Sequence, residues 1–304
     1  MHRMGSVAMT SVAALLFSSC GTAAPTRHHN KSPFAAFCIA GLSHISSGPA
    51  GSFYIEDQTG ILHISASRHL LGRIGPPGSA MTTSVGGDLY YFHGSRISEI
   101  SSDGTRVSAW SSHGMFPIAA QALGNLLVSD GGVQLGNAKS RIEWISGRGQ
   151  VVRRWQTPNA DSMAFDANGH LFAVGGASAG TGRLFRLNPT TGRTIMKFGS
   201  GADPGVTTTD LVTSSPSGHI YVGVETGASA PFAIQSLSQR HGHYIFQTLN
   251  RSQELVGELA VDANGTMLVF RNSYARAGNV GLDELSSGGS VEGSFPICPH
   301  HRKP

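Results

Sequence analysis

One short phrase recurs along the chain, and that repeat constrains the fold more than any other feature. "FDANGHLFAV" at residues 165–174 returns ninety-six residues later as "VDANGTMLVF" at 261–270. The same turn-plus-apolar run is legible six times, as AGSFYIED at Gly51, GGDLYYFH at Gly87, LGNLLVSD at Gly124, NGHLFAVG at Gly169, SGHIYVGV at Gly218 and NGTMLVFR at Gly265. A turn glycine followed by aliphatic and aromatic residues marks a tight turn entering a strand. A second half-repeat follows, clearest in RISEISSDGTRVSAW, RIEWISGRGQVVRRW, RLFRLNPTTGRTIMKF and GLDELSSGGSVEGSF. In these four, Gly104, Gly149, Gly192 or Gly289 stands six residues before Trp110, Trp155, Phe198 or Phe295. The first unit, ILHISASRHLLGRI, lacks the glycine, and FAIQSLSQRHGHYIFQTL is looser.

Each unit therefore reads as four short strands with two hairpin turns, at spacings of 36, 37, 45, 49 and 47 residues between first glycines. A four-stranded unit at that period is the blade of a β-propeller. One blade cannot bury both of its faces, so blades pack against one another around an axis and close into a ring. The expectation is an all-β, six-bladed β-propeller of four-stranded blades over residues 34–298. A seventh blade stays open if the stretch before Gly51 hides a degenerate unit. Forty glycines with only 13% charged residues fit such a turn-rich fold better than a helical one.

The sequence pI of about 9.1 invites a nucleic-acid reading, but its source lies in the ends. Arg3, Arg27, Lys31, Arg302 and Lys303 fall outside the repeat, leaving 17 basic against 18 acidic residues within it. A body so nearly neutral carries no overall footprint for a phosphate backbone, and no nucleic-acid partner is expected.

Arg3, an apolar core from Val7 to Phe17 and small residues leading into Cys20 form a secretory signal over residues 1–19, too short to span a bilayer. "FSSC" resembles the bacterial lipobox, in which the cysteine receives diacylglycerol and becomes the mature N-terminus; Phe17 replaces the usual Leu. That resemblance implies lipidation at Cys20 and a bacterial envelope location, with the body outside the cytoplasmic membrane. Ordinary signal cleavage beside an incidental cysteine is the alternative. Residues 20–33 then form a polar tether, and the His-containing 299–304 a solvated tail. Export leaves Cys38 and Cys298 in an oxidising compartment, where two thiols tend to pair; two separate buried thiols are the other reading. A bridge would lock the ring, and chain entropy allows it about 5 kcal/mol.

The "D-x-x-G" turn with its apolar run, followed by "R-I-x-x-h-x-x-x-G", resembles the NHL-repeat and SMP-30/lactonase-like six-bladed propellers over residues 41–298. The resemblance specifies the superfamily well and function poorly, since such propellers serve as sensors, scaffolds, lactonases and lyases. In the lactonase-like relatives, carboxylates and an amide hold a divalent cation at one end of the axis, where it polarises a carbonyl and activates water.

Candidate ligand-binding residues follow from register. Asp161 and Asp210 stand eight residues before Gly169 and Gly218, and Glu258 seven before Gly265. Three neighbouring blades thus send a carboxylate toward one end of the axis, although blades one to three offer no matching acid. Solvation of exposed loops is the competing role for these acids. His93 and Arg271 stand six residues after their first glycines, where NHL-type chains often carry the loop-bracing Asp matched by Asp57 and Asp130. Departing from that pattern makes them candidates for ligand contact. Asp166, Asn168, Asp262 and Asn264 are expected to shape turns. The serines are too numerous to single out a nucleophile, so no catalytic residue and no resident metal is assigned. The expectation is a monomeric binding or scaffolding lipoprotein for an unidentified protein or small-molecule ligand, with a metal-dependent lactonase or lyase as the alternative. Expressed in bacteria, a Cys20→Ser chain should lose incorporated lipid and membrane association; fractionation with labelled acyl chains checks this, and unchanged membrane retention refutes it.

Overall fold

The computed structural model describes residues 39, 42–78, 80–121, 124–130, 139–158, 162–175, 183–198, 208–225, 232–252, 255–272 and 280–296. The residues expected to form the signal and tether, with Cys20, and also Cys38 and Cys298, lie outside them. Blade one contains β1 (His44–Ser47), β2 (Phe53–Asp57), β3 (Gly60–Ile64) and β4 (Leu70–Gly75). Blade two contains β5 (Ala80–Thr83), β6 (Leu89–His93), β7 (Arg96–Ile100) and β8 (Arg106–Ser111). Blade three contains β9 (Phe116–Ala120), β10 (Leu126–Ser129), β11 (Lys139–Ile145) and β12 (Val151–Pro158). Blade four contains β13 (Ser162–Phe165), β14 (Leu171–Gly175), β15 (Arg183–Leu187) and β16 (Thr194–Phe198). Blade five contains β17 (Thr208–Ser214), β18 (Ile220–Glu225), β19 (Phe232–Arg240) and β20 (His243–Ser252). Blade six contains β21 (Leu255–Val261), β22 (Met267–Asn272), β23 (Val280–Leu285) and β24 (Val291–Phe295).

Every blade is an antiparallel meander of four consecutive strands, and the inner strands β1, β5, β9, β13, β17 and β21 neighbour one another in a closed circuit. The ring has six blades, and the stretch before Gly51 supplies β1 rather than a further unit. Radius decides composition. The second strands are sandwiched between adjacent blades, so β2, β10 and β14 are buried along their whole length and read as apolar runs. The outermost strands face solvent: β16 is exposed over residues 194–197, and β4 and β24 are mostly exposed or half-buried.

The repeated turn has a specific construction. Asp262 Oδ1 accepts from the backbone N–H groups of Asn264 (2.8 Å) and Thr266 (2.9 Å), and Asp166 Oδ1 does the same for Asn168 (2.9 Å) and His170 (2.8 Å). One carboxylate oxygen thus satisfies two donors that the hairpin leaves unpaired. For Trp110 and Trp155 the spacing of glycine to aromatic also acquires a cause, because each packs on the turn glycine of the next blade. A Cβ on Gly149 would stand 2.7 Å from the Trp110 ring, and one on Gly192 2.6 Å from Trp155. Both turns also need positive φ, +75° and +68°, so space and backbone conformation each select glycine.

Blade one solves the same turn without glycine. Arg68 N donates to Ser65 O just as Gly104 N donates to Ser101 O, and Arg68 takes φ +67°. The left-handed conformation costs roughly 1–2 kcal/mol for such a residue. Its guanidinium offsets that by reaching blade six, where Nε donates to Glu284 Oε1 at 2.7 Å and Nη2 contacts the same oxygen, with the charge 5.0 Å from the centre of the Phe53 ring. Both side chains are buried.

This pair joins the first blade to the last. Ser47 Oγ donates to Val261 O (2.6 Å) and accepts from Val261 N (3.1 Å), and Ile39 N donates to Pro296 O (2.9 Å). Ile39 is fully buried among Ile45, Phe53, Ile55, Leu268, Leu282 and Phe295, residues drawn from both blades. Arg68→Gly restores the repeat's glycine yet strands a buried carboxylate, so it should destabilise the fold by about 3–5 kcal/mol less the recovered strain. Adding Glu284→Leu should return most of that loss; paired denaturant titrations read both, and a neutral Arg68→Gly would remove the ion pair from the closure.

Candidate functional site

The inner strands surround an axial cavity of about 240 Å³, lined from all six blades. His44, Ser46, Thr82, Ser162, Thr213 and Glu258 give it polar groups, with Met81, Ile118, Met163, Leu211 and Leu259 between them. Adjacent inner strands share no continuous backbone ladder, so short side chains bridge them. Ser162 Oγ donates to Val212 O (2.7 Å) and accepts from Val212 N (3.2 Å), repeating the Ser47–Val261 arrangement, and Ser46 Oγ lies 2.9 Å from Thr83 Oγ1. A hydroxyl can donate and accept at once, which suits serine to this place.

Glu258 is the anchor of the cavity. Its Oε1 meets His44 Nδ1 at 2.5 Å and its Oε2 accepts from Ile45 N at 2.6 Å, so one carboxylate of blade six grips the start of blade one. Beside them, Glu56 faces His44 across the register of β1 and β2 and is almost fully buried. Gly78 N donates to Glu56 Oε1 at 2.6 Å, while Oε2 has no hydrogen-bond partner among the described residues. Burial pushes the Glu56 carboxyl above its ordinary pKa, with the Glu258 and Asp57 charges adding and the Gly78 N–H and His44 opposing.

Of the three carboxylates expected at one end of the axis, Glu258 lines the cavity. Asp161 lies outside the described residues; of Asp210 only the backbone is described, in β17 at the register shift between Thr209 and Leu211. His93 is exposed at the end of β6, where Nδ1–H donates to Pro77 O at 2.7 Å and braces the connection between blades one and two. Arg271 is buried: Nη1 donates to Ser252 Oγ and Nη2 to Asn250 Oδ1 (3.4 Å), tying β20 to blade six. Its Nε stands 3.0 Å from Asp283 Oδ2, close enough for charge pairing although the angle makes no hydrogen bond. Asp57 accepts from Thr59 N (2.8 Å) and pairs with Arg73, and Asp130 accepts from Arg141 N (3.1 Å), both bracing loops.

Sequence reasoning passed over His44 and Glu56. His44 stands seven residues before Gly51, the offset at which Glu258 precedes Gly265, so a search of that register for any ionisable residue finds it. Glu56 carries no comparable signal, since its partners come from the fold. The string G-A-S-A-G at residues 176–180 matches a nucleophile-elbow pattern and falls outside the described residues. The strands flanking it, β14 and β15, are neighbours in one antiparallel sheet, which is not the strand-to-helix setting an elbow requires.

No family model matches the chain, and no curated protein matches it. Solved structures match it in fold. A luciferin-regenerating enzyme aligns with TM-score 0.54 at 12% identity, covering 86% of this chain and 96% of that one. A protein of unknown function from Bacteroides caccae aligns with TM-score 0.51 at 14% identity, covering 84% and 92%. At such identities the likeness is one of fold, and the class it shares with this chain is the β-propeller.

The raised Glu56 carboxyl has a consequence for pH. The folded state holds that proton more tightly than the unfolded chain does, so the group's contribution is full below the ordinary Glu pKa and is lost as pH rises through the raised value. Glu56→Gln keeps an acceptor for Gly78 N and cannot ionise. It should therefore raise Tm relative to the parent at pH 7–8, with the gain disappearing near pH 4; a constant offset at all pH values would assign the effect to packing.

Proposed function

We propose that the chain is an envelope-anchored lipoprotein whose propeller acts as a binding or scaffolding module, taking a protein or small-molecule ligand at the axial cavity. The carrying observation is that all six inner strands contribute side chains to one polar-lined cavity on the ring axis. Its volume of about 240 Å³ falls below the roughly 300–1,000 Å³ of pockets for drug-sized ligands. The occupant is accordingly a small polar molecule or the tip of a partner's loop. Lipidation at Cys20 supports the envelope location and rests on the "FSSC" resemblance and the signal preceding it.

Thermal unfolding with small polar metabolites and peptides tests the cavity. A ligand at a hundred times its Kd should stabilise the fold by about 2.7 kcal/mol, and Thr82→Phe or Thr213→Phe, which narrow the cavity, should abolish the shift. A shift that survives both substitutions places binding elsewhere. Stabilisation by Ca²⁺, Mg²⁺ or Mn²⁺ that vanishes in Asp161→Ala and Asp210→Ala would instead favour the metal-dependent lactonase or lyase reading.

We also propose the Cys38–Cys298 disulfide. Ile39 follows Cys38 directly, Pro296 stands two residues before Cys298, and their backbones are hydrogen-bonded at 2.9 Å. Mass analysis of the alkylated, unreduced exported protein should find both cysteines unmodified; alkylation at both defeats the assignment.

A further inference from the structure

The near-neutral total conceals a polar distribution of charge around the ring. Residues 116–198, which are blades three and four, carry nine Lys and Arg against four Asp and Glu, a net of +5. The rest of residues 34–298 carries eight against fourteen, a net of −6. Asymmetry of this kind within one chain directs a basic region toward an anionic surface.

The cations concentrate where the ring meets solvent. Arg153 and Arg154 lie on the outermost strand of blade three, and Arg193 and Lys197 on or beside the outermost strand of blade four; all four are exposed. The blades meet near the rim where the Gly192 turn, which leads into the outermost strand of blade four, packs on Trp155 of blade three, with Arg154 and Arg193 next in sequence to the two contacting residues. Arg154 pairs with Glu143 at 2.7 Å. Among the described residues, Arg153, Arg193 and Lys197 pair with no carboxylate.

Apolar side chains are exposed among these cations: Val152 at 57%, Ile195 at 53% and Met196 at 37%. A soluble polyanion would satisfy the charges and leave these three in water, whereas a bilayer interface takes both together. Blades three and four also lie across the ring from the seam of blades one and six, where Ile39 brings in the chain from the tether. From Cys20 to Ile39 the chain reaches at most about 65 Å when extended, enough to let the far rim touch the membrane that holds the anchor.

We infer that the outer rim of blades three and four is a second membrane contact, an electrostatic and shallow apolar docking surface for anionic lipid. The lipid anchor bears on which membrane is met, while the surface itself is tested without it. The full chain and an Arg153→Glu/Arg193→Glu/Lys197→Glu variant carry identical N-terminal segments, so their difference in binding reads the rim alone. Co-sedimentation with vesicles of phosphatidylcholine, with or without 30 mol% phosphatidylglycerol, should show the parent favouring the anionic vesicles. The variant should bind them about a hundredfold more weakly, at roughly fivefold per charge before counting reversal, with neutral-vesicle binding and Tm unchanged. Arg153→Lys/Arg193→Lys should retain binding because a lipid surface reads charge, and Val152→Ser/Ile195→Ser should weaken it. Equal partition of the parent on both vesicle types overturns the inference. So does tight binding to polyphosphate with anionic-vesicle binding unaffected by Val152→Ser/Ile195→Ser, an outcome that assigns the rim to a soluble polyanion.

Discussion

The structure depends on the joint between its first and last blades. Each blade is built from four consecutive strands, so among the described residues no strand from the beginning of the chain is woven into blade six, and the backbone tie there is the single Ile39–Pro296 hydrogen bond. The joint consists of packing and a few polar contacts. Its apolar part holds ten buried residues from both sides, and each of the nine larger than Ala260 contributes about 1.5–3 kcal/mol on burial. Exposing even half of them would consume roughly the whole net stability of a domain, about 5–15 kcal/mol. An open ring is consequently not a stable alternative, and the six blades form or fail together.

Packing alone does not define which blade face meets which. The polar contacts do, because each is satisfied in a single alignment: Glu258 on the His44 ring and Ile45 N–H, Ser47 on Val261, and Arg68 on Glu284. The last is buried, and a buried ion pair is poor evidence for added stability. Its effect is on register, since any slip between the blades leaves a charge in the interior without its partner. That also accounts for an arginine in left-handed conformation where the other blades place glycine. The strain is tolerated because the guanidinium has a task across the seam that glycine could not perform.

How far this was legible in the sequence depends on the range of the interaction. Gly149 and Gly192 are fixed by positive φ and by Trp110 and Trp155 of the preceding blade, and each stands six residues before an aromatic of its own blade, so the blade repeat and its turns show directly. The same reading left blade one irregular, because Arg68 substitutes for glycine through Glu284, 216 residues away. Glu258 was visible from its offset, but its His44 partner lay in a register searched only for acids. Arg271 departed from the family pattern as a ligand residue does, and in the fold it spans Ser252, Asn250 and Asp283. A break in a repeat therefore marks a residue with a non-local partner, and sequence does not say whether that partner is protein or ligand.

Site and seam share their residues in this ring. The Glu258–His44 pair that holds blade six to blade one also lines the axial cavity. A ligand that competes for either group withdraws a contact from the closure, and one that contacts the pair while leaving it intact adds to the closure. Occupancy of the cavity and integrity of the ring are thus thermodynamically linked, since anything bound only by the closed form stabilises that form. The buried Glu56 carboxyl lies beside the same pair, so its ionisation perturbs cavity and seam together. An occupant of the axial cavity, as proposed, would act there on the joint that all six blades require, because a single added hydrogen bond to the Glu258–His44 pair bears on the closure itself.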